Sequence, residues 1–245
     1  MANHAIEFSG VRRTLGARSV LAGVELAVGS GETVALVGAN GAGKSTLIRA
    51  LLDLRAIDAG TIRLEGRAHT ERRARSRLAY LPERFQPPYY LTGIGYVNYM
   101  LALYGVRPGD APVADVCGEL GLDEVTLARS VRGYSKGMAQ LLGLGACLLS
   151  GRPLLVLDEP MSGLDPTARQ RFQAALVQRR EAGGTTLFTT HLMPDAEAVA
   201  DRVAVLHGGR IVADEPPAEL AARYQAPSLE AAFVHCVAEA VPQLH

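Results

Sequence analysis

Apolar and β-branched residues fall in short runs along the chain. Residues 5–8, 19–26 and 33–37 have the length and bounding turns of strands, and Gly29-Ser30-Gly31-Glu32 separates the last two. Residues 61–64, after Ala59-Gly60, and 77–81, stopped by Pro82, predict two more strands. Between residues 83 and 150 the period changes. Val97, Met100, Leu101 and Tyr104 stand at i, i+3, i+4 and i+7, one face of a helix, so this stretch reads as a helical insertion. Residues 154–157 and 185–190 then read as buried strands, with a helix over 167–182 between them. A strand–helix–strand order implies parallel pairing. Residues 202–206 and 210–213 flank His207-Gly208-Gly209, a hairpin signal. The expectation is an α/β domain over 1–225 with a mainly parallel sheet, an antiparallel β subdomain near its start and a helical subdomain over 83–150. A tail over 226–245 carries a short helix.

Composition narrows the class. Across 245 residues the formal charges cancel, which argues against a nucleic-acid partner. Nearly half of the residues are hydrophobic, 48%, yet no run approaches the roughly 20 apolar residues of a membrane helix. No basic segment followed by an apolar one marks a signal peptide at Met1-Ala2-Asn3-His4-Ala5. Cys117, Cys147 and Cys236 lack metal-ligand spacing and read as reduced thiols. Together these features predict a soluble cytoplasmic protein.

The residues with chemistry begin at Gly38-Ala39-Asn40-Gly41-Ala42-Gly43-Lys44-Ser45-Thr46, the Walker A spacing. Small residues let backbone N–H groups curl around phosphate oxygens. Lys44, one of only two lysines in the chain, supplies a mobile point charge for β- and γ-phosphates. Ser45 supplies a hydroxyl suited to Mg²⁺. The apolar β run 33–37 before the motif and the helix read over 47–52 after it give the strand–loop–helix setting, in which the helix N-terminus favours an anion. Leu154-Leu155-Val156-Leu157-Asp158-Glu159 fits Walker B followed by a second acid. Asp158 is placed to hold Mg²⁺ through water, and Glu159 to polarise an attacking water.

With these residues the chain resembles the ATP-binding subunits of ABC transporters, over about residues 5–220 and with the motifs in the family's order. Ser135-Lys136-Gly137-Met138-Ala139-Gln140 is similar to the family signature in variant form: Lys136 stands for a glycine and Met138 for a glutamine. By this resemblance Ser135 and Gly137 contact the γ-phosphate across a dimer, Ser162-Gly163-Leu164-Asp165 is the D-loop, and His191 is the switch histidine. Glu83, in Tyr80-Leu81-Pro82-Glu83, stands where the family has a glutamine and serves Mg²⁺ or water. Leu15 stands where an aromatic residue would stack on adenine, and Phe8 reads as core.

The resemblance implies ATP and Mg²⁺ as cofactors and a head-to-tail dimer with a second copy of the chain. It further implies a separately encoded transmembrane permease, engaged from the cytoplasmic face of the inner membrane, and export as the direction. The alternative is a soluble ATPase of this type acting on ribosomes or DNA. Two segments stay open. The aromatic and proline residues of Arg84-Phe85-Gln86-Pro87-Pro88-Tyr89-Tyr90-Leu91 suit either a docking surface or packing within the helical subdomain. Arg72, Arg73, Arg75 and Arg77 suit either contact with lipid or nucleic acid, or a solvated face.

Overall fold

A computed structural model describes residues 4–107 and 109–240. Two long strands, β1 (His4–Leu15) and β2 (Arg18–Gly29), pair antiparallel and run beyond the apolar stretches that announce them. Register shifts between Phe8 and Val11 and between Arg13 and Thr14 break the two-residue alternation. Sequence periodicity therefore fades where the strand continues. The buried strand β3 (Thr33–Val37) leads to α1 (Lys44–Leu51). Next come β4 (Ala59–Leu64), β5 (Arg67–Ala68), α2 (Arg72–Arg75) and β6 (Leu78–Leu81). The expected antiparallel subdomain is present, with the strand order β2-β1-β4-β5.

Of the arginine cluster, Arg75 pairs with Asp53 at 3.0 Å and Arg77 with Glu65 at 2.9 Å. Arg72 and Arg73 are exposed. Half of this run therefore ties loops together, which a reading of charge alone does not reveal.

The helical insertion comprises α3 (Gly93–Tyr104), α4 (Val113–Glu119), α5 (Glu124–Ala128), a 3-10 turn over Val131–Gly133 and α6 (Lys136–Leu149). Val97 and Leu101 are fully buried, with Met100 and Tyr104 packed beside them, as the helical spacing predicts. The glycines of α6 let it lie close to its neighbours. A Cβ on Gly143 would come within 2.6 Å of Leu81 and 2.9 Å of Phe85. Phe85 also meets Tyr96 with ring centroids 5.4 Å apart.

The remaining elements are β7 (Leu154–Leu157), α7 (Pro166–Glu181), β8 (Thr185–Thr190), α8 (Met193–Val199), β9 (Arg202–His207), β10 (Arg210–Glu215), α9 (Pro217–Arg223) and α10 (Leu229–Ala240). The main sheet has the order β10-β9-β3-β8-β7-β6. It is parallel except for the β9–β10 hairpin at its edge. Leu229, Ala232 and Cys236 of α10 are buried in the same core as α6 and α7. The helix expected in the tail over 226–245 is present and packs into this core, while residues 241–245 lie outside the described residues. Among the described residues no helix is long and apolar enough to cross a membrane.

This strand order positions the site. Neighbours β3, β8 and β7 each end at the same edge, with Val37 beside Thr190 and Leu157 beside Phe188. In open α/β sheets ligands bind beyond the carboxyl ends of the strands. The loops that follow these three strands carry residues 38–43, which lead into Lys44, Ser45 and Thr46 at the start of α1, together with His191 and the Asp158-Glu159 pair.

Candidate nucleotide site

A cleft of about 610 Å³ opens at this edge, within the usual range for small-molecule sites. Ala39, Asn40, Gly41, Ala42, Gly43, Lys44, Ser45 and Thr46 form its floor, and Glu83, Glu159, Ser162 and His191 stand around it. The phosphate-loop glycines are also required by packing. Gly43 is the left-handed N-cap of α1 at φ 112°, where a Cβ would meet the Val20 carbonyl oxygen at 2.9 Å. Gly38 has the Leu206 carbonyl oxygen 2.5 Å from where a Cβ would stand. No side chain caps the first turn of α1. Its free N–H groups and the helix dipole make that end suited to an anion.

Lys44 is 5% exposed and folds back over the loop, donating to the Gly38 carbonyl oxygen at 2.7 Å. Its ammonium also lies 3.1 Å from Glu159 Oε1. The second Glu159 oxygen meets His191 Nδ1 at 2.8 Å. An ionised carboxylate only accepts, so Nδ1 carries the proton in this contact. Glu159 adopts φ 47°, a left-handed conformation rare for a side-chain-bearing residue. Such strain costs on the order of 1–3 kcal/mol and persists only where surrounding structure enforces it. Here it is enforced by the Glu159 N–H, which donates to Thr189 Oγ1 at 2.7 Å.

Asp158 does not line the cleft but stands behind Ser45. Its Oδ1 accepts from Ser45 Oγ at 3.2 Å and from Thr189 Oγ1 at 2.7 Å. Burial pushes the Asp158 carboxyl above the usual range, and the charges of Glu83 and Glu159 add to that; the Thr189 and Ser45 hydrogen bonds oppose it. A buried carboxylate beside a hydroxyl is a hard oxygen pair that fits Mg²⁺, an ion which takes few protein ligands when phosphate oxygens complete its shell.

Thr189 was missed from the sequence. One hydroxyl serves both acids, fixing the Asp158 carboxylate and the Glu159 backbone at once. The available signal was β8 itself, where Thr185, Thr186, Thr189 and Thr190 are all buried in a central strand. Arg18 and Val20 were missed too. Both line the cleft, and Arg18 donates to the Gly41 carbonyl oxygen at 3.2 Å. Leu15, expected at the base, ends β1 opposite Arg18 and is not among the lining residues. Arg18 and Val20, on the β2 side of the hairpin, are the residues of this pair of strands that line the cleft.

Ser135, Gly137 and Asp165 also lie away from this cleft. Ser135 caps α6 by accepting from the Met138 N–H at 3.1 Å, and Asp165 caps α7 by accepting from the Ala168 N–H at 2.9 Å. Gly137 lets the two helix starts touch, since a Cβ there would stand 3.3 Å from the Ala168 Cβ. Within one chain these residues do not reach the phosphate loop.

The model of the ABC transporter family matches residues 21–162. An uncharacterized ABC transporter ATP-binding protein of Synechocystis is 34% identical over 80% of this chain and 56% of its own length. The Nod factor export ATP-binding protein I of Rhizobium etli is 35% identical over 88% of this chain and 69% of its own. The chain spans 56% and 58% of the length of two cyanobacterial relatives that it matches. A solved structure of the ATP binding subunit of an ABC transporter superposes with a TM-score of 0.85 at 29% identity, covering 95% of this chain and 99% of that one. With its phosphate loop, paired acids and histidine gathered at one sheet edge, the chain belongs to the ABC transporter family, among its ATP-binding proteins.

Proposed function

We propose that this chain hydrolyses ATP as a head-to-tail dimer and drives transport, in the export direction, through a separate membrane permease. The cluster Lys44–Glu159–His191 carries the reading. Lys44 is poised to meet the terminal phosphates, and Glu159, held at its strained backbone angle, to polarise the attacking water. His191 donates to Glu159 and fixes its orientation. Ser45 and Asp158 would hold Mg²⁺, which when bound screens the phosphate charge. Glu83, beside Asp158 at the rim, would orient the ion's water or the nucleophile.

Ser135, Gly137 and Asp165 would act on the ATP of a second copy, which accounts for their distance from their own cleft. Export is supported by the similarity to the Nod factor export protein of Rhizobium etli. The place of action would be the cytoplasmic face of the membrane. Tyr89 and Tyr90, 71% and 74% exposed, would anchor the permease.

The test is ATPase rate and ATP-dependent dimerisation of the purified chain, with Lys44→Ala as the control, followed by capture from detergent-solubilised membranes. Lys44→Ala is expected to lose both activities, and a membrane protein is expected to co-purify with the wild type. Wild-type hydrolysis by Lys44→Ala, or capture of ribosomes in place of a membrane protein, overturns the reading.

A further inference from the structure

Lys136 is the second of the two lysines in the chain, and the nucleotide site above does not use it. It opens α6, where a cation sits at the positive end of the helix dipole and is locally disfavoured. Its ammonium reaches across to α7's leading loop and donates to the Ser162 carbonyl oxygen at 2.6 Å. The contact has a shaped seat. Gly163 adopts φ +70°, and a Cβ there would stand 2.8 Å from the lysine nitrogen, so a side chain at this position would expel the ammonium.

Ser162 in turn donates its N–H to the Glu159 carbonyl oxygen at 3.2 Å, and the Leu164 N–H reaches the Met161 carbonyl oxygen at 3.3 Å. The loop is thus two overlapping turns, hung at one end from Glu159 and clamped in the middle by Lys136. Ser162 lines the nucleotide cleft. Lys136 lines an adjacent groove with Tyr89, Arg132 and Ser135, and Glu83 borders both spaces.

We infer that Lys136 is a positioning residue for hydrolysis: it clamps the 159–165 turn to the start of α6, so that a shift of α6 is transmitted to Glu159 of the same subunit. In the ATPase reading above, on which this rests, Ser135 touches the nucleotide of the other copy. Lys136, one residue on, then reports that contact to its own cleft. The ammonium transmits because a charge-assisted hydrogen bond has both direction and strength.

The test compares wild type, Lys136→Met, which keeps the stem without the charge, and Lys136→Arg. Amide exchange is measured over residues 160–165 in the nucleotide-free protein, and kcat and KM for ATP separately. In Lys136→Met, exchange of the turn is expected to accelerate about threefold or more, as for a local opening that has lost its clamp. The kcat is expected to fall about fivefold, equivalent to about 1 kcal/mol, with KM held within about twofold. Lys136→Arg should restore both. Wild-type exchange in Lys136→Met overturns the clamp, whether or not the protein hydrolyses ATP. Faster exchange with unchanged kcat overturns the transmission to Glu159, and so does a loss that appears only in KM or in melting temperature. A wild type that exchanges as expected but hydrolyses no ATP counts against the ATPase reading and leaves the clamp standing.

Discussion

Lys44 and Glu159 form a buried ion pair, Nζ to Oε1 at 3.1 Å, on the floor of the nucleotide cleft. This carboxylate and the Gly38 carbonyl oxygen together hold the ammonium that, in the proposed function, meets the terminal phosphates. In that proposal ATP binding would separate the pair, and the two roles of Glu159 would oppose each other: polarising water and competing for Lys44.

Glu159→Gln removes the competing charge and keeps the shape. Hydrolysis is expected to drop about 10²–10⁴-fold, the usual worth of a general base. ATP affinity is expected to rise about tenfold, about 1.4 kcal/mol. Single-turnover rates and equilibrium titration check the two halves separately. Near-normal turnover would take the base role away from Glu159.

Arg18 lines the cleft and is tied to Gly41, while Leu15 lies outside the lining. A guanidinium plane can stack on a base, a contact worth about 1–3 kcal/mol in other nucleotide sites. Arg18→Ala is expected to weaken ATP binding about tenfold and Leu15→Ala to change it less than about twofold. With no aromatic platform, GTP and ATP should be used within about tenfold of each other. Titration of fluorescent nucleotides reads all three values. A larger loss from Leu15→Ala would return that residue to the base.

The segment after β6 divides its aromatics. Phe85 packs on Gly143 and Tyr96, whereas Tyr89 and Tyr90 meet edge to face, centroids 5.6 Å apart, in solvent. Replacing both tyrosines by alanine should leave ATPase of the isolated chain within about twofold and abolish stimulation by the permease, because docking loses its anchors. Glu83→Ala should instead slow hydrolysis with or without the permease. Rates in detergent and in reconstituted lipid distinguish these outcomes. Wild-type stimulation of the tyrosine variant would move the docking surface elsewhere.

Arg202, at the start of β9, joins three strands. It pairs with Glu32 at 2.7 Å and with Asp214, and donates to the Ala27 carbonyl oxygen. Burial pushes the Glu32 carboxyl up, but the hydrogen bonds and charge of Arg202, with the Gly29 N–H, bring it below its ordinary 4.5. A depressed carboxylate adds stability above its unfolded value and loses it as pH falls through the folded one. Arg202→Met should therefore destabilise the chain at neutral pH by about 1.5–3 kcal/mol, the scale of a charge-assisted bond. The gap to wild type should narrow as pH falls below about 4.5, the ordinary carboxylate value. Denaturant melts at several pH values measure it, and a gap that widens in acid would contradict the assignment.

The sequence alone determined the phosphate loop, the acids Asp158 and Glu159, His191 and the strands that carry them. These features are local: each motif is contiguous, and β3, β7 and β8 are buried on both faces, so each reads as a short run of apolar and β-branched residues without polar alternation. The division into an antiparallel part, a parallel sheet and a helical insertion was legible for the same reason. Periodicity says which face of an element is buried but not which element covers it. Thr189 bridges Asp158 and Glu159 only because β8 lies beside β7 in a particular register. Lys136 reaches Ser162 only because α6 and α7 begin side by side, and Arg18 replaces Leu15 at the cleft only through the pairing of β1 with β2. Those contacts join residues far apart in the chain, or on opposite sides of one turn, and tertiary packing alone selects them.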